Sequence, residues 1–432
     1  MRRKWWIVGI LMVLELVVCA VILMTFWAGQ EAFGEVRLFY IADTHIEETM
    51  EETFVVEGPA VLDLTNDYGD ATVTSSEGDE VEIVARMNLW GADEEDARRQ
   101  VDVQMTQHGN RITIRTVRPE RVYFVASTKG SRVDFEIRVP PETSLKLLTD
   151  HGDVNVDGIT GAMELDTDFG NVDVEEVSGQ VNAQSDSGDI TLTGVSDGGD
   201  IEAKTNFGSL VLQDITAESL VAHSDSGDIR AEKITLDGAL DLETSFGSVT
   251  VRDAEAERLK AHSDSGEIRV EDAALDGVLD LETNFGDVKV NGVRASSYRL
   301  ASDSGGLTLN GCRGILDLHT DFGSIEVRDC TKAVLSLETD SGEIYFSGSL
   351  SDEGMHQVET GFGKVHLVLP ADAAFDLDAE TDLGSIKTDF AVTISEFEEK
   401  HIVGEVNGGG PSLQIRTDSG SITLVSAANE SN

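Results

Sequence analysis

From about residue 53 onward the chain alternates apolar and polar residues in short runs broken by glycine turns, as in Asp189-Ile190-Thr191-Leu192-Thr193 and Asp200-Ile201-Glu202-Ala203-Lys204. A period of two puts every second side chain on one face, so each run predicts a short, half-buried strand. The breaks share a phrase: Thr or Ser, usually Asp or Asn, a variable residue, then Gly. It reads Thr149-Asp150-His151-Gly152, Thr167-Asp168-Phe169-Gly170, Ser185-Asp186-Ser187-Gly188 and Thr205-Asn206-Phe207-Gly208, and runs on to Gly384. An early copy stands at Asp67-Tyr68-Gly69 and a last one at Thr417-Asp418-Ser419-Gly420. From Gly152 to Gly384 the glycines fall 18 to 21 residues apart, the signature of stacked repeats.

No helical pattern long enough for a βαβ crossover lies between the strands. A short repeat made of strands alone closes its core by winding around it, so the pattern predicts an all-β, parallel β-solenoid. Right-handed winding is the default for such crossovers. The glycine is expected to supply a positive φ, and the Asp or Asn before it an Asx-turn.

The variable residue alternates between Ser (Ser187, Ser226, Ser265, Ser304, Ser341) and Phe (Phe169, Phe207, Phe246, Phe285, Phe322, Phe362). One coil is therefore either about 19 residues, with alternating coils, or about 39, with two similar halves. Electrostatics favours the shorter one. Four residues before successive glycines stand His223, Glu243, His262 and Glu282. Short coils stack His on Glu, whereas long coils stack Glu243 on Glu282, and like charges directly opposite destabilise a sheet. Seven residues after the glycines, Val195, Ile215, Ile234, Ala254, Ala273, Val293, Cys312 and Cys330 predict an inward apolar ladder. The two cysteines are one coil apart. Parallel Cβ vectors disfavour a bond between them, so buried free thiols are expected.

The array is expected over residues 142–386. Residues 53–141 hold strands, one short helix (92–100) and a closing Pro140-Pro141, and predict a β-rich N-terminal cap. Residues 387–432 leave the period and predict a C-terminal cap. Residues 30–52, acidic and weakly patterned, read as a linker.

Ahead of these, Trp5 to Ala28 are almost wholly apolar. As a helix they extend about 36 Å, enough to cross a bilayer core. Arg2, Arg3 and Lys4 precede them, so residues 1–29 predict an uncleaved transmembrane anchor in the cytoplasmic membrane with the N-terminus inside and the bulk outside. Glu15, near mid-span, reads as a protonated acid tolerated in a single span or, alternatively, as a contact with a second membrane helix.

Charge narrows the partners. The 432 residues carry a formal charge of -49, from 81 acidic and 32 basic side chains. That surface repels nucleic acid, anionic lipid and acidic polymers, and favours cations or basic partners. An apolar fraction of 40% in regular alternation argues against disorder.

Three phrases carry a family resemblance: Val133-Asp134-Phe135-Glu136-Ile137-Arg138-Val139-Pro140 leading to Thr149-Asp150-His151-Gly152, the repeated Ser-Asp-Ser-Gly-Asp-Ile, and Gly404-Glu405-Val406-Asn407-Gly408-Gly409-Gly410-Pro411. Over about residues 53–426 the chain resembles the DUF4097 family of bacterial adhesin-type proteins. The resemblance implies a β-solenoid outside a bacterial membrane and carries no catalytic residues.

Candidate chemistry is thin. His223, Glu243 and His262 could share an ion such as zinc, but a charge-balanced ladder explains the same spacing. Asp-rich turns offer calcium ligands, yet no DxDxDG loop is present. The acids recur evenly with the coils, as structural residues do, which argues against a polysaccharide-cleaving carboxylate pair. The sequence therefore assigns no catalytic, cofactor or metal residues. It predicts a non-enzymatic, membrane-anchored binding or scaffold protein whose partner is a cell-surface polymer or an envelope protein. The alternative is an envelope sensor that regulates another membrane protein.

Overall fold

The computed structural model describes residues 42–118 and 130–428. Each run of alternating residues lies parallel on the run one turn of the chain earlier. Strand Ala239–Thr244 pairs with Arg258–Ser263, setting Leu240 opposite Leu259 and Leu242 opposite Ala261. Strand Val249–Ala256 pairs with Ile268–Leu275, setting Val249 opposite Ile268. The result is an all-β parallel solenoid with about 20 residues per coil. The short coil is the correct one: Gly247 lies against Gly227, and Gly266 against Gly247.

Two long ladders, one before and one after each phrase, form the main walls. A short third side is marked by the bridges Thr160↔Ser178 and Ser178↔Ser196. Because register is kept from coil to coil, inward residues stack into continuous columns. Leu240, Leu259 and Leu279 form one of them, and Val249, Ile268 and Val288 another, all fully buried. Burying one such side chain contributes about 1.5–3 kcal/mol. The column predicted seven residues after the glycines is also inside, from Val195 to Cys330.

The ends differ from expectation. Strand Thr44–Val55 begins inside the expected linker and pairs antiparallel with Glu80–Gly91. Its Ile46, Met50 and Phe54 pack on the core. Glu48 and Glu52 stand between them in the same alternation and hide the pattern; Glu48 is held by Arg98 at 2.6 Å. The predicted helix is shorter, Glu94–Arg98, with the Asp93 side chain accepting from the Asp96 amide at its N-cap.

Coiling also starts before residue 142. Strands Ala60–Tyr68 and Ala71–Ser75 lie parallel on Thr143–His151 and Val154–Asp157. Beyond them Arg111–Val117 and Arg132–Val139 add one further layer, edged by antiparallel strands. The antiparallel strands are the cap: they pair the open edge that a parallel stack leaves.

At the C-terminus the chain doubles back. Strands Ser412–Ser419 and Ile422–Ser426 insert between the coil of His356–Phe362 and Val365–Leu369 and the coil of Phe375–Thr381 and Ile386–Thr388. Residues 412–426 are thus array, and the cap is the hairpin Val392–Glu398 with His401–Val406. Among the described residues no helix is long and apolar enough to cross a membrane. The expected anchor, with Glu15 and Cys19, lies outside the described residues.

Candidate functional site

The repeated phrase is built for contact between coils. Its Thr or Ser is buried, and the hydroxyl donates to the carbonyl of the glycine one coil earlier: Thr205 to Gly188 at 2.9 Å, Ser224 to Gly208 at 2.8 Å, Thr244 to Gly227 at 2.9 Å. A Cβ on Gly188, Gly208, Gly227 or Gly247 would overlap that same carbonyl. Close approach, and not the expected positive φ, is therefore what excludes side chains at these glycines. Left-handed backbone appears six residues later, at Asp214, Lys233, Asp253 and Asp272, with φ of 53°, 55°, 52° and 53°. Gly194 and Gly292 fill the same place in other coils. The recurrence of Asp and Gly there was a usable signal that the alternation of the strands obscured.

Carboxylate-to-amide bonds between turns come from the residue after the glycine, where an Asx-turn from the residue before it was expected. Asp189 accepts from the Ser209 amide at 2.7 Å, and Asp228 from that of Ser248 at 2.8 Å. In the coils of Asp225, Asp264 and Asp321 the Asp of the phrase instead faces histidine. His223 reaches Asp225 at 3.1 Å through Nε2 and Glu243 of the next coil at 3.7 Å through Nδ1. His262 does the same with Asp264 and Glu282, and His319 with Asp321 and Glu338. The two ring nitrogens face different carboxylates, so His223, Glu243 and His262 do not converge on one ion. Among the described residues no cluster of three or more His, Cys, Asp or Glu is arranged to hold a metal. Each histidine instead links a carboxylate of its own turn to one on the next coil, so the histidines and glutamates form a polar ladder.

With the first and last places of the phrase spent on packing, the variable third place points outward. Register sets Phe169 opposite Ser187, Ser187 opposite Phe207, and Phe207 opposite Ser226. Phe207, Phe246, Phe285, Phe322 and Phe362 are each 64–66% exposed, and Phe169 53%. They form one column along an edge of the solenoid. Rings two coils apart are separated by about 9.6 Å. The inserted last coil keeps the order, for Phe362 is opposite Ser419, and Leu383 on the next coil out is 74% exposed.

At the N-terminal end the column is filled. His151 occupies the place of a Ser and stacks between Tyr68 and Phe169, with ring centroids 4.4 Å and 4.8 Å apart. The Arg118 guanidinium lies over the other face of Tyr68, 4.8 Å from its centroid, and pairs with Asp67 at 3.1 Å. The turn acids crowd one another: the Asp150 carboxyl is raised above its ordinary pKa by burial, then by Asp67 and Asp168 on neighbouring coils.

Cys312 and Cys330 are bonded to each other, with Cα atoms 4.4 Å apart, which corrects the expectation of free thiols. Cys312 falls outside the strands and Cys330 sits at a register break. That break is with the following coil; toward Cys312 the register holds on either side of the pair, with Asn310 opposite Arg328 and Arg313 opposite Thr331.

The profile of the Toastrack DUF4097 family matches residues 61–311 and 278–425. The chain is similar to three solved structures. A proposed adhesin of Bacteroides fragilis is 17% identical, with 56% of this chain and 97% of that one covered and a TM-score of 0.33. A proposed adhesin of Parabacteroides distasonis is 12% identical, with 74% and 97% covered and a TM-score of 0.26. A proposed cell adhesion protein of Clostridium sporogenes is 9% identical, with 88% and 100% covered and a TM-score of 0.15. Scores this low leave the architecture to rest on the chain's own register. No curated protein matches the chain.

Proposed function

The chain belongs to the Toastrack DUF4097 family, and we propose that it is a non-catalytic binding rod of adhesin type, anchored in the cytoplasmic membrane and displayed outside it. The observation that carries this reading is the Phe/Ser edge. It presents the same outward element on every second coil over roughly 60 Å, at about 4.8 Å per coil. An enzyme gathers different groups at one place; this surface repeats one group along a line. A line of weak, identical contacts gains strength by engaging a long partner at several points at once.

Anchoring rests on the apolar stretch Trp5–Ala28 behind Arg2, Arg3 and Lys4. Partners are a cell-surface polymer or an envelope protein, with calcium as a helper for so acidic a surface. The test is a pull-down from intact envelope with the full-length chain, with and without calcium. Retention of an envelope component that washes off only when the rod is unfolded is the expected result. No retained component under either condition would refute the reading. Protease added outside spheroplasts is expected to remove the rod; a protected rod would refute the display.

A further inference from the structure

We propose that the edge from Phe169 to Leu383 docks an extended, arginine-bearing segment of a partner protein, one guanidinium in each gap between successive apolar side chains. The inference rests on the binding reading above and names its site and partner chemistry.

Three observations lead there. The gaps have the thickness of one flat group, because His151 fills such a gap between Tyr68 and Phe169 at stacking distance on both sides. Wherever Ser replaces His151, the equivalent gap is left open by the chain itself. The turns that bear the gaps are acidic: Ser187 lies between Asp186 and Asp189 in the chain, Ser226 between Asp225 and Asp228, and Ser265 between Asp264 and Glu267. Asp186, Asp189 and Asp228 bond the neutral donors Asn206 and the Ser209 and Ser248 amides, while Glu267 already pairs with Arg269 and Lys289. A neutral planar group would bring no counter-charge to the first three, whereas a planar cation answers both the rings and those acids. The protein also displays the contact within itself. Arg118 stacks on Tyr68 and pairs with Asp67, and these two residues hold the places of Phe169 and Asp168 in the phrase.

Spacing selects the conformation of the partner. A polyproline II helix has three residues per turn and advances about 9.3 Å per turn, close to the roughly 9.6 Å spanned by two coils. Arginine at every third residue of such a segment would face the edge in step with the gaps. A second copy of this chain is a poor occupant, because it would bring the same acids against themselves.

The experiment measures binding of the full-length chain to labelled peptides of repeated Arg-Pro-Pro, with repeated Lys-Pro-Pro and a peptide with arginine at every second residue as comparators. Expected are at least about tenfold tighter binding of Arg-Pro-Pro than of either comparator, and a loss of about tenfold or more in the triple variant Phe207→Ser, Phe246→Ser, Phe285→Ser. The double variant Ser226→His, Ser265→His closes two gaps as His151 does and is expected to lose binding while keeping every phenylalanine. An unchanged urea midpoint shows that these exposed positions leave the fold intact.

Equal binding of the three peptides, or binding indifferent to both variants, would mean charge attraction alone and overturn the inference. So would competition at the edge by neutral oligosaccharides but not by Arg-Pro-Pro, or a self-association of the wild type that the triple variant abolishes. If intact envelope is retained while the peptides are not bound, the inference fails and the binding reading stands. If nothing is retained from envelope, the reading itself fails.

Discussion

Replacing a turn glycine by alanine tests the account of the repeated phrase. A Cβ at Gly247 would overlap the carbonyl of Gly227, which is backbone and cannot swing aside. Relief requires the two coils to part locally. Five hydrogen bonds cross at that point: Thr244 Oγ1 to the Gly227 carbonyl at 2.9 Å, the Ser245 amide to the Ser224 carbonyl at 3.2 Å, the Phe246 amide to the Asp225 carbonyl at 3.0 Å, the Ile229 amide to the Ser248 carbonyl at 2.9 Å, and the Ser248 amide to Asp228 at 2.8 Å. At about 0.5–1.5 kcal/mol net each, all five set a ceiling of about 7.5 kcal/mol. Losing two of them costs about 1–3 kcal/mol, the usual scale of overpacking. Two other glycines grade the effect. A Cβ at Gly238 would lie 3.0 Å from the Glu218 carbonyl, a tight contact, whereas one at Gly199 meets nothing within 4 Å. The expected order of stability is Gly199→Ala, then Gly238→Ala, then Gly247→Ala, with Gly199→Ala stabilising by about 0.4–1 kcal/mol through the unfolded chain. A long stack need not unfold as one unit. The readout is therefore amide hydrogen exchange at Phe246 and Ile229 alongside the urea midpoint. Protection at those amides equal in Gly247→Ala and Gly199→Ala would refute the reasoning.

The hydroxyl column gives a second expectation. Thr283→Val, which leaves the Gly266 carbonyl without its donor at 3.0 Å, should cost about 1–3 kcal/mol, and Thr283→Ser far less, by urea denaturation; equal losses would rule out the hydrogen bond as the cause. Thiol titration of the unfolded, unreduced chain should find one free thiol, Cys19, since Cys312 and Cys330 are joined; three would contradict the bond. Two histidines should tilt the pH profile in opposite senses. His356 is fully buried, and its pKa is lowered from 6.5 by burial. Its contribution to stability is present above about 6.5 and is lost as pH falls through the lower folded value. His401 is raised by its hydrogen bond to Asp378 at 2.8 Å. Its contribution is present below about 6.5 and is lost as pH rises through the higher folded value. Urea midpoints between pH 4 and pH 9, on a range of about five units around these values, should show an acid limb softened in His356→Gln and an alkaline limb softened in His401→Gln; the reverse assignment would refute it.

Much of the wall was legible in the chain because period-two alternation and a fixed glycine spacing are both direct consequences of stacking in register. Charge chose between the two coil lengths that the repeat spacing allowed, and the Glu243–His262 pairing realises the argument. The reason for the glycines was not legible. A clash with a neighbouring backbone leaves the same trace in sequence as a need for positive φ, and only the distance between coils separates the two. The early strand was hidden for a related reason. Glu48 and the exposed Glu52 fall at the same alternate places as Ile46, Met50 and Phe54, and an acid paired with Arg98, as Glu48 is, looks in sequence like any linker acid. The disulfide was not legible, because stacking in register brings the Cα atoms of Cys312 and Cys330 to 4.4 Å but the sequence does not fix the direction of either side chain.

The Phe/Ser column shows what the alternation serves. A repeat copied in pairs would alternate along the sequence whether or not the surface mattered. At the C-terminus sequence and space part company. Phe362, Leu383 and Ser419 follow one another along the chain, so a simple winding would set two exposed apolar side chains on adjacent coils. Instead the coil carrying Ser419 slides between the other two. The hydroxyl staples follow the same spatial order, with Thr417 donating to Gly363 and Thr381 to Gly420. Since the alternation survives where chain order breaks, it belongs to the surface and not to the history of copying. Exchanging the two residues, as Leu383→Ser with Ser419→Leu, should leave the urea midpoint within about 0.5 kcal/mol of wild type, as surface changes do, while setting an apolar side chain directly against Phe362 and closing the last gap. If that exchange unfolds the end of the rod, the alternation is a packing requirement, and the argument that it is a property of the surface falls.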